Sequence, residues 1–451
     1  MVAPRETAKF VVLGAGLGGA LMAIYLGRAG YAVEVYEKRD DPRSAAPEEG
    51  RSINLAISTR GIESLREVGL ATEVLKSAIP MRGRLMHSPR GELAFQSYGT
   101  EPGHVINSVG RAALNAALVT AAEKSPNVRI AFGQRCTGVD LESAAVSLTD
   151  ARTGATSTAR GDAVVGADGA FSAVRAQMLR LDRFDYEQAY LGHGYKELAI
   201  PPGSGGRFVL DPHALHIWPR GGSMMIALPN ADGSFTCTVF WPLEGPGSFA
   251  AFKTPEDVLL FFSATYPDAL ALMPTLTSDY FRNPTGTLVT IRSCPWYYRD
   301  RVVLLGDAGH AVVPFYGQGA NAAFEDCAVL SEALARHAPD REGAFAQYES
   351  LRKPHTDALA DLSLANFVEM RDHAASRAFR LTRRLEQELH RLFPRRFVPL
   401  YTLVTFTRTP YAEAVARARR QTRALKATAA AAAVLVLAVA LWLLLGGGGG
   451  R

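Results

Sequence analysis

The sequence predicts an α/β fold with a parallel sheet, an antiparallel second sheet, a helical C-terminal region and a C-terminal transmembrane helix. Three observations support this prediction. Short apolar runs that end in glycine and lead into a helical pattern occur three times, with the glycines at Gly14, Gly166 and Gly306. Residues 190–290 contain successive short runs with the alternation of half-buried strands. An uncharged run of nineteen residues, ATAAAAAVLVLAVALWLLL, occupies positions 427–445.

Length and composition indicate a globular protein of two or three structural units. The chain has 451 residues, of which 48% are hydrophobic and 21% charged, a balance typical of folded domains. The net charge is only +5, and no stretch combines dense Lys and Arg with aromatic residues, so we expect no nucleic-acid partner. The cysteines lack metal-ligand spacing, which predicts no metal site and a reducing compartment; they are Cys136, Cys237, Cys294 and Cys327.

The first glycine-rich segment is typical of a dinucleotide-binding βαβ unit. An apolar strand precedes GAGLGG, whose alternate glycines are Gly14, Gly16 and Gly18, and the strand after the helix ends at Glu37. Glycines let the backbone approach a pyrophosphate, and an acid about 20 residues further on can bond the ribose hydroxyls. An N-terminal apolar run can also belong to a signal peptide, but these glycines and the second strand argue against one.

The stretch VVLLGDAGHAVVPFYGQGANAAFEDC, at 302–327, predicts a buried strand, a loop and a helix. Asp307 follows the strand, where open α/β sheets bind their ligands. The helix that begins near Asn321 points its N–H groups and positive dipole end at the loop. An ordinary strand–loop–helix without a ligand is the alternative. The segment AVVGADGAFSAVR at 163–175 repeats the pattern, so we expect three strand ends at one edge of a parallel sheet.

Two further regions hold candidate ligand contacts. The loop DPRSAAPEEGRSINLAIS contains Arg51, Ser52 and Asn54, although polar residues are also frequent in surface loops that bind nothing. Arg111 is predicted at the start of a helix, where a positive charge is unfavourable for the dipole. We therefore expect an anionic group near Arg111.

The uncharged run at 427–445 has close to the ~20 residues needed to cross a bilayer. A buried C-terminal helix is the alternative, but a helix that is apolar on all sides favours a membrane. Basic residues just before the run predict that the rest of the chain stays on the cytosolic side; they are Arg417, Arg419, Arg420, Arg423 and Lys426.

These motifs resemble those of the flavoprotein aromatic hydroxylase family. GAGLGG with Glu37, GADG, and GDAGH followed by PFYGQGANAAFEDC are its three nucleotide signatures, which many flavoproteins share. More specific strings are similar to those of members that hydroxylate L-kynurenine: GRSINLAIS, IPMRGRLMHS, LHIWPR, MMIALPN, SFTCTVF, ANFVEMR and FVPLYTLVTFTR. The resemblance extends over residues 10–411, nearly the whole chain before the apolar run.

The resemblance implies non-covalently bound FAD, NADPH as reductant, O2 as oxidant, and conversion of L-kynurenine to 3-hydroxykynurenine by a flavin hydroperoxide. Together with the glycine motif, it implies FAD contacts at Gly14, Gly16, Leu17, Gly18, Glu37, Lys38, Arg39, Ala56, Arg111, Cys136, Asp307, Ala320 and Asn321. It implies substrate contacts at Arg84, Tyr98, Asn366 and Tyr401. Gly309 and Cys136 depart from the family, where alanine and leucine are common at these positions.

The implied chemistry suits these residue types. The aniline ring is already activated ortho to its nitrogen, so no strong general base is required, and His310 is expected to be structural. The protein must instead orient the substrate and exclude water. Pro314 and Gln318 are the catalytic candidates, in the loop expected beside the flavin ring. Arg84 suits the carboxylate of an amino-acid substrate because guanidinium binds carboxylate through two parallel hydrogen bonds.

Five units are expected along the chain. They are an FAD-binding part with substrate-side segments at 1–185, an antiparallel β substrate domain at 186–295, a return to the FAD-binding sheet at 296–340, a helical region closing the active site at 341–426, and a transmembrane helix at 427–445.

Two other functions stay open at this point. A flavoprotein hydroxylase that acts on a different aromatic acid would keep the nucleotide motifs and lose the four substrate contacts as a set. A flavin-bound membrane scaffold without catalytic activity is the second. A halogenase would carry a WxWxIP string, and the sequence has none.

Overall fold

Two large β-sheets organise the fold, one of six strands and one of seven. The computed structural model describes residues 8–44, 54–373 and 377–446. Arg51 and Ser52, two of the candidate ligand contacts, lie outside the described residues.

The strands of the described residues are, in chain order, β1 (Lys9–Leu13), β2 (Ala32–Tyr36), β3 (Asn54–Ile57), β4 (Ile79–Met81), β5 (Gly83–His87), β6 (Leu93–Ser97), β7 (Ile106–Gly110), β8 (Val128–Ala131), β9 (Gln134–Asp140), β10 (Ala145–Asp150), β11 (Thr156–Arg160), β12 (Ala163–Gly166), β13 (Asp185–Ile200), β14 (Ala214–Pro219), β15 (Met224–Pro229), β16 (Phe235–Pro242), β17 (Gly286–Cys294), β18 (Tyr297–Tyr298) and β19 (Val302–Leu304).

The α-helices are α1 (Leu17–Arg28), α2 (Thr59–Glu67), α3 (Ala71–Lys76), α4 (Arg111–Glu123), α5 (Ala173–Met178), α6 (Pro255–Thr265), α7 (Pro267–Leu270), α8 (Leu276–Arg282), α9 (Asp307–His310), α10 (Gly319–His337), α11 (Arg341–Val368), α12 (Arg377–Leu392), α13 (Leu400–Phe406) and α14 (Tyr411–Gly446). Short 3-10 helices lie at Ser204–Gly206 and Pro314–Tyr316, and a π-helical turn at Glu369–His373 follows α11.

The six-stranded sheet has the order β18-β19-β12-β1-β2-β8, and only β18 and β19 pair antiparallel. Strand β12 is buried along its whole length, as expected for a parallel strand that is covered on both faces. Because β19, β12 and β1 are neighbours with the same direction, their carboxyl ends lie at one edge. The predicted convergence of Gly306, Gly166 and Gly14 is therefore confirmed.

The seven-stranded sheet has the order β17-β13-β16-β15-β14-β5-β6, and only β14 and β5 pair in parallel. Strands β5 and β6 come from an earlier part of the chain, so this sheet joins distant segments. Along β16 the side chains alternate: Phe240 packs in a cluster with Met224 and Ile217, while Trp241 packs in a separate cluster on the other face.

Helices α6, α7 and α8 interrupt the 190–290 stretch, which was predicted to be mostly β. They cover the outer face of the seven-stranded sheet, where Trp241 packs against Phe262 and Tyr266. Alternating apolar residues also occur on sheets that face water, so the pattern did not show that this face is covered. A local signal was present, because Thr254 and Asp257 form a capping box at the start of α6.

A cluster of buried charges holds α2, α9, α10 and α11 together. Arg352 on α11 donates from Nε to Asp326 Oδ1 of α10 at 2.6 Å, and His310 Nε2 lies 2.6 Å from Asp326 Oδ2. Arg60 on α2 donates to Glu325 at 2.7 Å and also to the carbonyl oxygen of Thr409. Burial raises the pKa of the Asp326 carboxyl, but the charges of His310 and Arg352 outweigh burial and hold that pKa below its usual value.

Helix α14 extends away from this core as a single helix of 36 residues. Tyr411 and Ala414 in its first turn are buried, whereas all side chains from 422 to 443 are exposed. The helix is long and apolar enough to cross a membrane by length and composition. The alternative of a buried C-terminal helix is therefore wrong.

Replacing Arg352 by methionine should lower the apparent free energy of unfolding by about 3–5 kcal/mol, because it leaves two buried carboxylates without their main partner. Arg336→Met removes an exposed ion pair with Glu332 on α10 and should change it by less than about 1 kcal/mol. Denaturant titration of both variants tests this. A loss for Arg352→Met no larger than that of Arg336→Met would contradict the cluster's role.

Candidate active site

A cavity of about 630 Å³ connects the two large sheets. One end is lined by the loops that follow β1, β12 and β19, together with the residues that follow β2. The other end is lined by the inner face of the seven-stranded sheet, including Ile226 and Phe240, and by Met370 after α11. Its size is in the range of small-molecule and cofactor sites. The end near the parallel sheet is polar and the opposite end is apolar.

The glycine-rich loop between β1 and α1 presents bare backbone to the cavity. Gly14 has φ +97°, and a Cβ there would lie 2.5 Å from the carbonyl oxygen of Ala167. A Cβ at Gly16 would have no atom within 4 Å, and Gly16 lines the cavity. A Cβ at Gly18 would instead meet Leu305 at 3.2 Å. A ligand can therefore lie against the backbone at Gly16. Gly18 has a second role, since its lack of a side chain lets α1 pack closely against Leu305, which follows β19.

Glu37 fixes the shape of this loop from the end of β2. Its Oε2 accepts the N–H of Ala15 at 2.8 Å and its Oε1 accepts the N–H of Arg39 at 3.0 Å. Each carboxylate oxygen keeps a further lone pair for a ligand hydroxyl. Glu37, Lys38 and Arg39 all line the cavity beside Cys136.

Asp307 and Arg111 face the cavity from opposite elements. Asp307 begins α9 and Arg111 begins α4, and both line the cavity. Burial raises the pKa of Asp307, and the opposing charges of Arg111 and His310 do not outweigh it. A carboxyl group therefore lies close enough to Arg111, at the start of α4, for the two charges to interact.

The start of α10 closes this end of the cavity. Ala320 and Ala56 line it. Asn321 is fully buried and clamps β3 against α10: its Nδ2 donates to the carbonyl oxygens of Ala56 at 2.8 Å and Gly317 at 2.9 Å, and its Oδ1 accepts the N–H of Ser58 at 2.9 Å. Asn321 does not line the cavity through this side chain.

Arg84 lies in the wall at the apolar end, beside two tyrosines. Its guanidinium carbon is 4.9 Å from the centre of the Tyr401 ring and 5.9 Å from that of Tyr98, and the two rings stack at 5.5 Å. Arg84 Nε is buried and has no hydrogen-bond partner among the described residues. Burial raises the pKa of Tyr98 and of Tyr401, so both phenols stay protonated and can donate. The three side chains come from β5, the end of β6 and α13.

Two of the remaining predicted site residues, Gln318 and Asn366, hold the loop after α9 in place from the side away from the cavity. Gln318 is buried, accepts the hydroxyl of Tyr411 at 3.2 Å and donates to Ser58 Oγ at 3.1 Å. Asn366 on α11 donates to the carbonyl oxygen of Phe315 at 2.6 Å. Pro314, in the same loop, lines the cavity directly, and Gln318 and Asn366 do not.

Asn54 has its amide committed to the fold. Its Nδ2 donates to the carbonyl oxygen of Pro229 at 2.9 Å and approaches Ser108 Oγ at 3.2 Å. It thereby ties β3 and β7 to the turn after β15. The residue still borders the cavity.

A search of known protein families matches this chain to the FAD binding domain family over residues 7–190 and 287–363. The kynurenine 3-monooxygenase of Salinispora arenicola is 50% identical over 423 residues, which cover 94% of this chain and 93% of that relative. That of Myxococcus xanthus is 50% identical over 89% of this chain and 86% of the relative. That of Dictyostelium discoideum is 44% identical, with 89% of each covered.

The chain belongs to the kynurenine 3-monooxygenase family of FAD-binding proteins. Solved structures of more distant proteins share its fold. The tetrameric form of 2-methyl-3-hydroxypyridine-5-carboxylic acid oxygenase has a TM-score of 0.66 at 21% identity, over 83% of this chain and 95% of that one. PqsL of P. aeruginosa in complex with 2-aminobenzoylacetate has a TM-score of 0.64 at 23% identity, over 81% and 97%.

The residues of the polar end fit FAD, the cofactor of this family. The open backbone at Gly16 and the cation of Arg111 suit phosphates, and Glu37 suits ribose hydroxyls. Half-buried Asp168 provides a further observation: its Oδ2 accepts the N–H of Ala173 at 2.6 Å, while its buried Oδ1 has no partner in the described part of the chain. Such an unpaired buried acceptor is costly unless a ligand or water satisfies it.

Several cavity residues were not identified as site residues from the sequence. Asp168 lies in the GADG motif, which was recognised without assigning this side chain a role. Tyr195, Phe240 and Met370 form part of the apolar wall. The alternation along β13 and β16 gives the faces of these strands, but the sequence does not show which face borders a cavity.

Replacing Gly16 by valine should abolish FAD binding, because the new side chain occupies the space next to the backbone that must meet the pyrophosphate. Gly103→Val is a matched control, since Gly103 also has open space around it but does not line the cavity. The measurement is the flavin-to-protein absorbance ratio of the purified proteins. Normal flavin content in Gly16→Val would contradict the assignment of this loop.

Proposed function

We propose that this chain is a kynurenine 3-monooxygenase that converts L-kynurenine, NADPH, H+ and O2 to 3-hydroxykynurenine, NADP+ and water. The family membership supports the flavin-dependent hydroxylation, and the names of the relatives support kynurenine as the substrate. Bound FAD supplies the redox chemistry, since it accepts a hydride from NADPH and activates O2 for insertion into the ring. The chain itself supplies orientation, a dry site and the anchoring of the substrate.

The observation that carries this proposal is the position of Arg84. A buried guanidinium with an unpaired Nε, beside two neutral phenols, matches the carboxylate of an amino acid. The pKa of Arg84 lies above its ordinary value although burial lowers it, and a guanidinium in a protein stays protonated in any case. The group is therefore a permanent cation, and it borders the same cavity as the glycine-rich loop.

The apolar wall beside Arg84 suits the aromatic ring of the substrate. Ile226, Leu228 and Phe240 line it from the seven-stranded sheet, and Leu215 and Met370 complete it. Apolar walls of this kind keep water from the reacting atoms, which protects the activated oxygen from wasteful decay.

The loop after α9 borders the same space through Pro314, and Asn366 fixes the backbone of that loop at Phe315. We assign Asn366 and Gln318 roles in positioning this loop.

We also propose that α14 anchors the chain in a membrane, with the catalytic part on the cytosolic side. The exposure of every side chain from 422 to 443 supports the anchor, and the five basic residues before 427 support the orientation. We likewise propose that the chain comprises the five units expected from the sequence, of which the last, at 427–445, is the anchor.

Kynurenine should strongly stimulate an otherwise slow oxidation of NADPH, and Arg84→Met should raise KM with normal FAD content. Loss of a two-pronged charged contact in a dry pocket costs on the order of 2–4 kcal/mol, which is roughly 30- to 1000-fold in kcat/KM. Arg84→Lys should restore only part of this loss, because a point charge does not replace the planar fork. Steady-state kinetics with product analysis measures these effects.

Arg82→Met is the matched control for this experiment, because Arg82 is two residues away and exposed; its kinetics should be unchanged. A kynurenine analogue without the carboxylate should be nearly indifferent to Arg84→Met. Equal losses with both compounds would argue against a carboxylate contact. Stimulation by another aromatic acid and not by kynurenine would assign the chain a different substrate.

Ending the chain after Lys426 should release it from the membrane fraction without detergent, with FAD still bound. The physical reason is that the deleted segment is the uncharged run that suits a bilayer. Fractionation of both lengths by centrifugation, with flavin absorbance, measures this. Recovery of the full-length chain in the soluble fraction without detergent would show that α14 is not an anchor.

A further inference from the structure

Helix α12 exposes two leucines of its apolar side. Leu385, Leu389 and Leu392 recur at helical spacing, which places them on one face. Leu385 is 59% exposed, Leu392 is 68% exposed, and Phe393, directly after the helix, is 52% exposed. Soluble proteins normally bury such a stripe, so this face of α12 is one that a partner should cover.

The opposite side of α12 is polar and contacts the protein. Gln387 Nε2 donates to the carbonyl oxygen of Ser97 at 2.9 Å, and His390 is buried with its Nδ1 2.7 Å from the carbonyl oxygen of Phe397. Glu386, Gln387 and His390 line a small outer cleft that Arg84 also borders. A helix that packs on a core turns its apolar face toward the protein, whereas α12 turns its polar face toward it. Its polar side closes the substrate end of the protein, and its apolar side faces outward.

The charge of this region points to an anionic partner. Helix α12 contains five arginines and two glutamates, and the loop after it adds Arg395 and Arg396. Helices that lie in a membrane interface combine an apolar face with abundant Lys and Arg. Five further basic residues, between 417 and 426, precede the apolar part of α14. A protein partner could also cover leucines, but this excess of arginine favours a surface of acidic headgroups.

The position of α12 relative to α14 supports the same partner. The N–H of Val398 donates to Gln421 Oε1 at 3.1 Å, and Arg417 Nη2 lies 3.5 Å from the carbonyl oxygen of Arg395. Gln421 precedes the apolar run at 427 by six residues, or about 9 Å along a helix at 1.5 Å per residue. The loop that directly follows α12 is therefore held close to the level where the apolar part of α14 begins.

We propose that α12 lies on the membrane surface, with Leu385, Leu392 and Phe393 inserted among the headgroups and first acyl carbons of a bilayer rich in acidic lipid. This inference rests on the anchor proposed for α14 and adds a second contact with the same membrane. Interfacial helices of this type insert by ~5–10 Å. This depth is similar to the ~9 Å along α14 between Gln421, which contacts the loop after α12, and the start of the apolar run at 427. The side of the protein that closes the substrate end then faces the bilayer.

Fluorescence quenching in vesicles tests this arrangement with the full-length chain. The probe is Leu392→Trp combined with Trp442→Phe, because the other native tryptophans, Trp218, Trp241 and Trp296, are buried. In vesicles with lipids brominated near the headgroup, the emission of the introduced tryptophan should be quenched and should shift to shorter wavelength. The matched control is Leu260→Trp with Trp442→Phe, since Leu260 is 70% exposed on α6; its emission should stay unquenched.

The outcomes separate this inference from the proposal for α14. Quenching of native Trp442 by lipids brominated deep in the chain shows that α14 is inserted. If Trp442 is quenched and the Leu392→Trp probe is not, the surface contact of α12 is refuted. Quenching of the probe should increase when acidic lipid is added to phosphatidylcholine and should decrease with salt. Equal quenching with and without acidic lipid would refute the acidic-lipid preference.

A second copy of the chain is the competing occupant of this face. If a second copy covers it, the detergent-solubilised protein should be a dimer that Leu392→Glu converts to a monomer, and the Leu392→Trp probe should stay unquenched in vesicles. That pair of results would overturn the membrane assignment. A Leu392→Glu variant whose mass in detergent equals that of the wild type, together with quenching of the Leu392→Trp probe, supports it.

Discussion

The buried ion pairs around Arg352 are the interaction on which the arrangement of the site depends. Charges inside a protein are tolerated only when each is paired, so Arg352, Asp326 and Glu325 must keep their mutual positions. Through Arg60 and His310, this cluster connects α2, α9, α10 and α11. One set of contacts therefore holds α9 at the cofactor end, the helices α2, α10 and α11, and the segment just before α14.

The cavity divides binding and chemistry between two physical environments. At one end, parallel strands stop at a common edge and leave backbone N–H groups and a helix dipole for phosphates. At the other end, the inner face of the antiparallel sheet provides apolar side chains and a single buried guanidinium, Arg84. A flavin enzyme needs both, because the cofactor carries charge while the reacting ring must stay dry. Loop residues between them, such as Pro314, border both environments.

Much of the polar end of the site could be predicted from the sequence. Gly14, Gly16, Glu37 and Asp307 lie in local patterns whose backbone geometry follows from a few neighbouring residues, and all four line the cavity. The residues of the apolar end were harder to predict from the sequence. Arg84, Tyr98 and Tyr401 lie up to 317 positions apart in the sequence, and only a resemblance to a known family selected them from many similar residues.

Elements with local periodicity or turn chemistry were predictable from the residues alone: the strand–glycine–helix units, the start of α4 at Arg111 and the apolar run of α14. Tertiary structure alone decided which faces are covered. The outer face of the seven-stranded sheet is buried because α6 to α8 pack on it, and Leu385 and Leu392 of α12 are exposed because the polar side of that helix faces the protein. Helical or strand periodicity gives the direction of a face, but its environment depends on segments that are distant in the chain.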